Sequence, residues 1–343
     1  MSTAPNLPAI IEPQNLPTVA AEIAAKAKGY AEQAKAENTR RAYAADWRAF
    51  QAWCDAHREQ AMPAPATTLL AYLVDQAGIL KVATLERRLS AIREAHRYAG
   101  HELETGHIGF RDVWRGIRRQ HGAPAVQKAP LLTAALRGAV DVLPDTLAGC
   151  RDRALLLIGF ASALRRSELA ALEVTPRVGA SGTIEQTAEG LIVRLMRSKT
   201  DQDGEGQTVA VPFGSNPSTC PVRAYTAWIE TSQIKEGPAF RAIDRHGHRA
   251  DDALTDRSIA LIVKRAVIAG EIARGASAQD AVVAAQEFAG HSLRSGLATS
   301  AAANGAAGYL IQKQLRHRKF ETTARYIRSA ELFKQNAAGQ AGL

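Results

Sequence analysis

A chain of 343 residues with 46% hydrophobic and 22% charged side chains has enough apolar content for two separately cored domains, and its composition excludes a disordered polymer. The formal net charge is +9 and the sequence pI about 9.6, so polyanions, nucleic acid first among them, are the expected class of partner. Three widely separated cysteines (Cys54, Cys150, Cys220), no apolar run of spanning length and no signal-peptide pattern exclude a disulfide framework and a CxxC zinc site, and lead us to expect a reducing, cytoplasmic setting.

Residues 1–16 carry three prolines and no helical period, which predicts a flexible arm. From residue 17 to 122 the period is helical. "NTRRAYAADWRAFQAWCDAH" sets Tyr43, Trp47, Phe50 and Trp53 at three- and four-residue steps, with Arg40, Arg41 and Arg48 off that stripe and Asn38 and Thr39 as cap candidates. "PATTLLAYLVDQAG", "KVATLERRLSAIREAHRYAG" and "FRDVWRGIRRQHG" repeat the pattern, each closed by Gly, so 17–122 reads as a helical domain with the aromatic stripe in its core. "HGAPAVQKAPLLT" has prolines and no period, which predicts an exposed linker over 123–130. A second domain is expected over 131–328. It opens with helices around 133–143 and in "RDRALLLIGFASAL", continues through "GTIEQTAEGLIVRLMRSKTDQDGEGQTVAVPF" as a small antiparallel sheet, and is helical from Pro221 onward. The expected class is mainly α with one small antiparallel sheet.

Four separated pieces of this second domain carry cationic or nucleophilic groups. "SALRRSELAAL" places Arg165 and Glu168 at i and i+3, so the carboxylate can hold the guanidinium. Lys199 falls at the tip of the predicted hairpin. "GHSLRSGLATS" places His291 and Arg294 at the same three-residue interval, and "QLRHRKFETTARYIRS" holds His317 nine residues before Tyr326. Each piece alone is ordinary surface chemistry. His246 and His248 in "RHGHR" stand too isolated for a metal site, and with no HExxH or clustered carboxylates neither metal nor cofactor is expected. On one unbroken helix nine residues turn the face by roughly 180°, so His317 and Tyr326 could not meet the same group. A break is therefore expected within "KFETT", with Thr322 or Thr323 capping a new helix.

Taken in order, Arg165 with Glu168, Lys199, His291 with Arg294, His317 and Tyr326 resemble the motif set of the tyrosine site-specific recombinases, the family of Cre-like recombinases and phage integrases. The resemblance spans nearly the whole chain. It implies a two-domain DNA clamp, a helical core-binding domain joined to an α+β catalytic domain, that breaks and rejoins DNA through a covalent 3′-phosphotyrosine and a Holliday junction. Tyr326 would be the nucleophile, Arg165 and Arg294 the phosphate ligands, His291 and His317 hydrogen-bonding or proton-accepting groups, and Lys199 the acid for the leaving oxygen. Guanidinium suits such a transition state, being permanently charged and forked to match phosphate oxygens. The implied partner is double-stranded DNA bearing recombination sites, met by a homotetramer that is monomeric in solution. The tail 329–343, through Leu332 and Phe333, would dock on a neighbouring protomer. Arg40, Arg41, Thr84, Arg87, Arg88 and Arg257 occupy segments that resemble those held against DNA. Two positions depart from the pattern: Arg316 stands where many relatives have glycine, and Ser295 where many have histidine. A type IB topoisomerase and a catalytically silent DNA-binding regulator of the same fold are the alternative readings.

Overall fold

In the computed structural model, residues 26, 30, 37–124, 127–177, 179–196 and 206–330 are described. The 1–16 arm, Lys199, Leu332 and Phe333 thus lie outside the described residues. The chain divides into two units, Met1–Val126 and Gln127–Leu343. Among the described residues no helix is long and apolar enough to cross a membrane.

The first unit contains α1 (Glu37–His57), α2 (Ala66–Asp75), α3 (Val82–Tyr98) and α4 (Ile108–His121). Trp47 and Phe50 are buried, and Phe50 meets Tyr72 edge-on with centroids 5.1 Å apart, while Tyr43 and Trp53 are half-buried. The aromatic stripe therefore builds the core. Asn38 and Thr39 do not cap: Glu37, an acid in the first turn that pairs with Arg41, continues the helix beyond them. His96 is fully buried and accepts the Ala64 N–H at Nε2 (2.9 Å), which leaves Nδ1 to donate to the Ile92 carbonyl (2.8 Å). That tautomer is neutral, and burial holds the imidazole below its ordinary range.

The second unit runs α5 (Thr133–Asp141), α6 (Leu147–Ala161), α7 (Arg166–Ala170), β1 (Leu172–Glu173), β2 (Gly182–Thr187), β3 (Gly190–Leu195), β4 (Gln207–Pro212) and α8 (Pro221–Ser232). It continues with β5 (Arg241–Ile243), β6 (Arg249–Ala253), α9 (Asp256–Ala273), α10 (Ala278–Gln286), α11 (Ser292–Ala303), α12 (Gly308–Leu315) and α13 (Phe320–Ala330). The mainly helical class is as expected, with two corrections to the β content. The four-stranded sheet β1-β2-β3-β4 has a parallel β1–β2 edge and is otherwise antiparallel, and the expected all-helical stretch after Pro221 holds a second hairpin, β5–β6. That hairpin lacks apolar alternation because β6 is RADDA, and its turn is made by Asp244, whose Oδ1 accepts the N–H groups of His246 (2.8 Å) and His248 (2.9 Å).

The core centres on α6, whose Leu155, Leu156 and Ile158 are fully buried, against α8, where Trp228 donates to the Ala239 carbonyl at 2.8 Å. Each such side chain contributes about 1.5–3 kcal/mol by leaving water. Part of the expected linker is tied down: Ala129 N–H bonds the Glu287 carbonyl (2.8 Å) and Lys128 Nζ the Gln286 carbonyl (2.7 Å), which fastens 128–129 to the end of α10. Leu131 N–H then bonds the Ser292 carbonyl at 2.9 Å, and a Cβ on Gly296 would lie 2.0 Å from the Leu131 carbonyl oxygen. Glycine there lets the chain lie flat on α11, the helix that carries Arg294.

Candidate active site

The end of α6 turns through Ala163, which has a left-handed backbone (φ 50°), and delivers Arg165 to the N-cap of α7. Glu168 faces back on it. Its Oε1 accepts Arg165 Nη1 at 2.6 Å and its Oε2 the Arg165 backbone N–H at 2.9 Å, so side chain and main chain of one residue are held by one carboxylate. On α11, Arg294 is 1% exposed and donates from Nη1 to the Ala163 carbonyl and from Nη2 to the Leu315 carbonyl. A single guanidinium thereby joins the ends of α6 and α12. Burial, then the charges of Arg165 and Arg316, pull its pKa down to about 10, which leaves it protonated at neutral pH.

His291 stands at the N-terminal boundary of α11 without capping it through its side chain, and its Nε2 lies 3.4 Å from Tyr326 Oη. His317 shares a 2.9 Å hydrogen bond between Nδ1 and Thr323 Oγ1, and its ring lies nearly parallel to that of Tyr326, 15° between planes and 6.2 Å between centroids. Lost hydration, followed by the charges of Arg294 and Arg165, holds His291 below the ordinary imidazole range and brings His317 down to about 4. Both rings are neutral at pH 7. Tyr326 itself is half-buried and rests on a small cluster that includes Ala163, Ala298, Ala302, Ile311 and Leu315.

The helix break exists, but upstream of its expected place. α12 ends at Leu315, Arg316 takes a left-handed conformation (φ 55°, ψ 41°) and α13 starts at Phe320. Thr322 and Thr323 consequently lie inside α13 and cap nothing; Thr323 is fully buried and serves His317 instead. Arg165, Glu168, His291, Arg294, His317 and Tyr326 are thus gathered from three parts of the second unit. Strands β3 and β4 lead toward them, and Gln207 and Thr208 at the start of β4 share a cavity of about 380 Å³ with Lys313, His317 and Arg318.

The sequence of residues 135–332 matches the Phage integrase family, and residues 30–102 match the Phage integrase, N-terminal SAM-like domain. The chain belongs to the phage integrase family. This integrase-family chain is 37% identical over 318 residues to the Integrase/recombinase xerD homolog of Selenomonas ruminantium, covering 91% of this chain and 87% of that protein. Against the Tyrosine recombinase XerD of Lacticaseibacillus casei the identity is 27% over 302 residues, with 86% and 89% covered. The fold resembles the XerH site-specific recombinase solved on palindromic difH substrate in a post-cleavage complex (TM-score 0.53, 15% identity, 81% of this chain and 71% of that one). It also resembles a lambda integrase(75-356) dimer bound to a COC' core site (TM-score 0.52, 14% identity, 89% and 93%). The chain is a tyrosine recombinase, an enzyme of site-specific recombination that cleaves and rejoins DNA.

The recombinase's expected DNA-facing residues fall in different settings. Arg257 is exposed near the start of α9, and Thr84 is half-buried in the first turn of α3. Arg41 pairs with Glu37, and Arg40 is half-buried with its Nε enclosed and without a hydrogen bond. Arg87 grips the buried Asp46 through Nε (2.7 Å) and Nη2 (3.0 Å). Arg88 turns inward, 18% exposed, with Nη1 on Tyr72 Oη and Nε 3.7 Å from Asp46. His246 and His248 belong to the β5–β6 turn, and no metal-holding group of three His, Cys, Asp or Glu occurs among the described residues. Sequence reasoning assigned no role to Arg316 and offered Thr323 only as a helix cap. A left-handed arginine carries no local sequence signal, and Thr323 is explained only by the ring it reaches.

Proposed function

We propose that this recombinase cleaves double-stranded DNA at specific recombination sites by attack of Tyr326 on the scissile phosphate. The observation that carries the reading is the 3.4 Å approach of Tyr326 Oη to a neutral His291 beside the Arg165–Glu168 and Arg294 cluster. The phenol O–H gives its proton to His291 Nε2 as its oxygen bonds to phosphorus, the P–O5′ bond breaks, and a 3′-phosphotyrosine forms with a free 5′-hydroxyl. Lys199 protonates the departing O5′. Arg165, which is 21% exposed, receives the non-bridging oxygens from the open side, and Arg294 supplies charge from the floor of the site. His317, fastened by Thr323, orients the tyrosine ring and adds a hydrogen bond. The ester conserves the energy of the broken bond, so a 5′-hydroxyl from a second duplex reverses the step without ATP. Repeated exchange through a Holliday junction calls for two sites and four protomers, with the tail 329–343 docking on a neighbouring protomer and the protein monomeric in the cytoplasm until it meets DNA.

The test is Tyr326→Phe on a nicked suicide substrate. Binding should persist while the covalent protein–DNA adduct disappears; an adduct in that variant would overturn the assignment. In the parent protein His291 must be neutral to accept the proton, and its pKa lies below the ordinary 6.5, so cleavage should rise with pH only below that value and be level from pH 7 to 8.

A further inference from the structure

Arg316 is 4% exposed at its side chain, donates from Nη2 to Glu168 Oε2 at 2.6 Å and reaches toward the Ser162 carbonyl from Nη1 at 3.5 Å. It is as buried as the carboxylate it holds. A buried guanidinium in a left-handed residue combines a desolvation cost with backbone strain, and so calls for an explanation. Enclosure rules out direct contact with DNA. Its effect falls on Glu168.

Glu168 has two oxygens. Oε1 serves Arg165 Nη1, and Oε2 is divided between the Arg165 backbone N–H and Arg316 Nη2. Without Arg316, the acceptor position it occupies on Oε2 would be open to the Arg165 guanidinium, and the carboxylate could close on it as a bidentate pair, the preferred geometry for these groups, engaging a second of its five donors and more of its charge. With Arg316 in place, two guanidinium groups (Arg165, Arg316) bond one carboxylate, and the charge of a third, Arg294, stands nearby. We propose that Arg316 is a positioning residue for strand cleavage: by occupying Glu168 Oε2 it limits the carboxylate to one side-chain bond with Arg165, leaving the rest of that fork for the phosphate. Its backbone has a second part in the same task, since the left-handed turn at Arg316 takes His317 off α12 and to the face of Tyr326. The Arg316 charge also adds to those that keep His317 neutral.

The inference rests on Arg165 as a ligand of the scissile phosphate, and its test is built to fail separately. Arg316→Gly retains a residue at ease in the left-handed turn and removes the guanidinium. Single-turnover adduct formation on the suicide substrate should slow by roughly 10–100-fold, the scale of losing one aligned electrostatic donor, with DNA affinity within about twofold of the parent. The acidic limb of the pH–rate profile, set by His291, should keep its position, because burial and the charges of Arg294 and Arg165, not that of Arg316, hold His291 neutral. Placed in a Glu168→Gln background, Arg316→Gly should have little further effect, since no carboxylate remains to be shared. A parent cleavage rate in Arg316→Gly, or an equal slowing with and without Glu168→Gln, would refute the proposal. If Arg316→Gly loses the fold, Arg316→Met, which keeps the buried stem, takes its place with the same two outcomes. Adducts persisting in Tyr326→Phe would remove the underlying reading; their loss beside an unaffected Arg316→Gly would remove only the role of Arg316.

Discussion

Asp46 in the first unit and Glu168 in the second are both buried carboxylates set between two arginines, 3% and 8% exposed respectively. They are finished differently. Asp46 receives a complete fork from Arg87, Nε and Nη2 on its two oxygens, and the second arginine, Arg88, spends Nη1 on Tyr72. Glu168 gives Arg165 one side-chain bond, takes one from Arg316, and has a third guanidinium, Arg294, nearby. In the helical unit the carboxylate completes its guanidinium partners and the result is a brace between α1 and α3. In the recombinase site one carboxylate holds two arginines in place without using them up. The net positive charge that remains is what a phosphate in an associative or dissociative transition state requires.

Exchanging the two carboxylates for amides separates these uses. Glu168→Gln should reduce adduct formation by about 100-fold while the protein stays folded, because Arg165 and Arg316 lose a shared anchor in the place where charge develops. Asp46→Asn should leave single-turnover cleavage at saturating DNA unchanged and destabilise the first unit by about 3 kcal/mol, the scale for breaking a buried pair, read as a lower denaturation midpoint. An Asp46→Asn protein with parent stability and impaired cleavage would erase the contrast.

Acid provides a second, milder probe. His96 is neutral and buried in the first unit, with its pKa lowered from 6.5, so it binds a proton more readily unfolded than folded. Its stabilising contribution is complete above about pH 6.5 and is lost as pH falls toward the folded value. Trp47, Trp53 and Trp114 belong to this unit and the Trp47 ring stands edge-on to His96 at 5.8 Å, so tryptophan emission should report a midpoint that declines below pH 6.5 and is flat above it. His96→Gln should lower the baseline and remove that slope. The smallest effect is expected from Arg257→Ala. This exposed side chain should weaken DNA binding by a few-fold and reduce the salt slope by about 1 if it meets a phosphate. An unchanged slope would take Arg257 off the DNA-facing surface.

The parts of the site that were legible in the sequence are those whose partners lie close in the chain: Arg165 with Glu168, His291 with Arg294, and the offset from His317 to Tyr326. What escaped has a physical reason in each instance. Positive φ is assigned by rule to glycine or asparagine, so an arginine at 316 hides the turn that the glycine of many relatives would have marked, and the break was sought at the threonines instead. The pairing of Arg87 with Asp46 spans 41 residues, and from sequence alone both arginines on α3 look equally free for DNA. The β5–β6 hairpin is too polar to show a two-residue period, and residues 128–129 read as linker because their hydrogen-bond partners, the last carbonyls of α10, lie far along the chain.

The helix that carries the tyrosine is lightly anchored compared with the helix that leads to Arg165. α6 buries eight of its fifteen residues, whereas α13 fully encloses only Thr323 out of eleven and sits on a seat made largely of alanine. Little apolar surface holds it, so lifting α13 costs far less free energy than unfolding the domain, and its amides should exchange with solvent long before those of α6. The proposed nucleophile thus sits on a lightly held element: docking one short helix sets how often Tyr326 is in register with His291, and any contact that adds to that docking adds to the population in which the two groups meet.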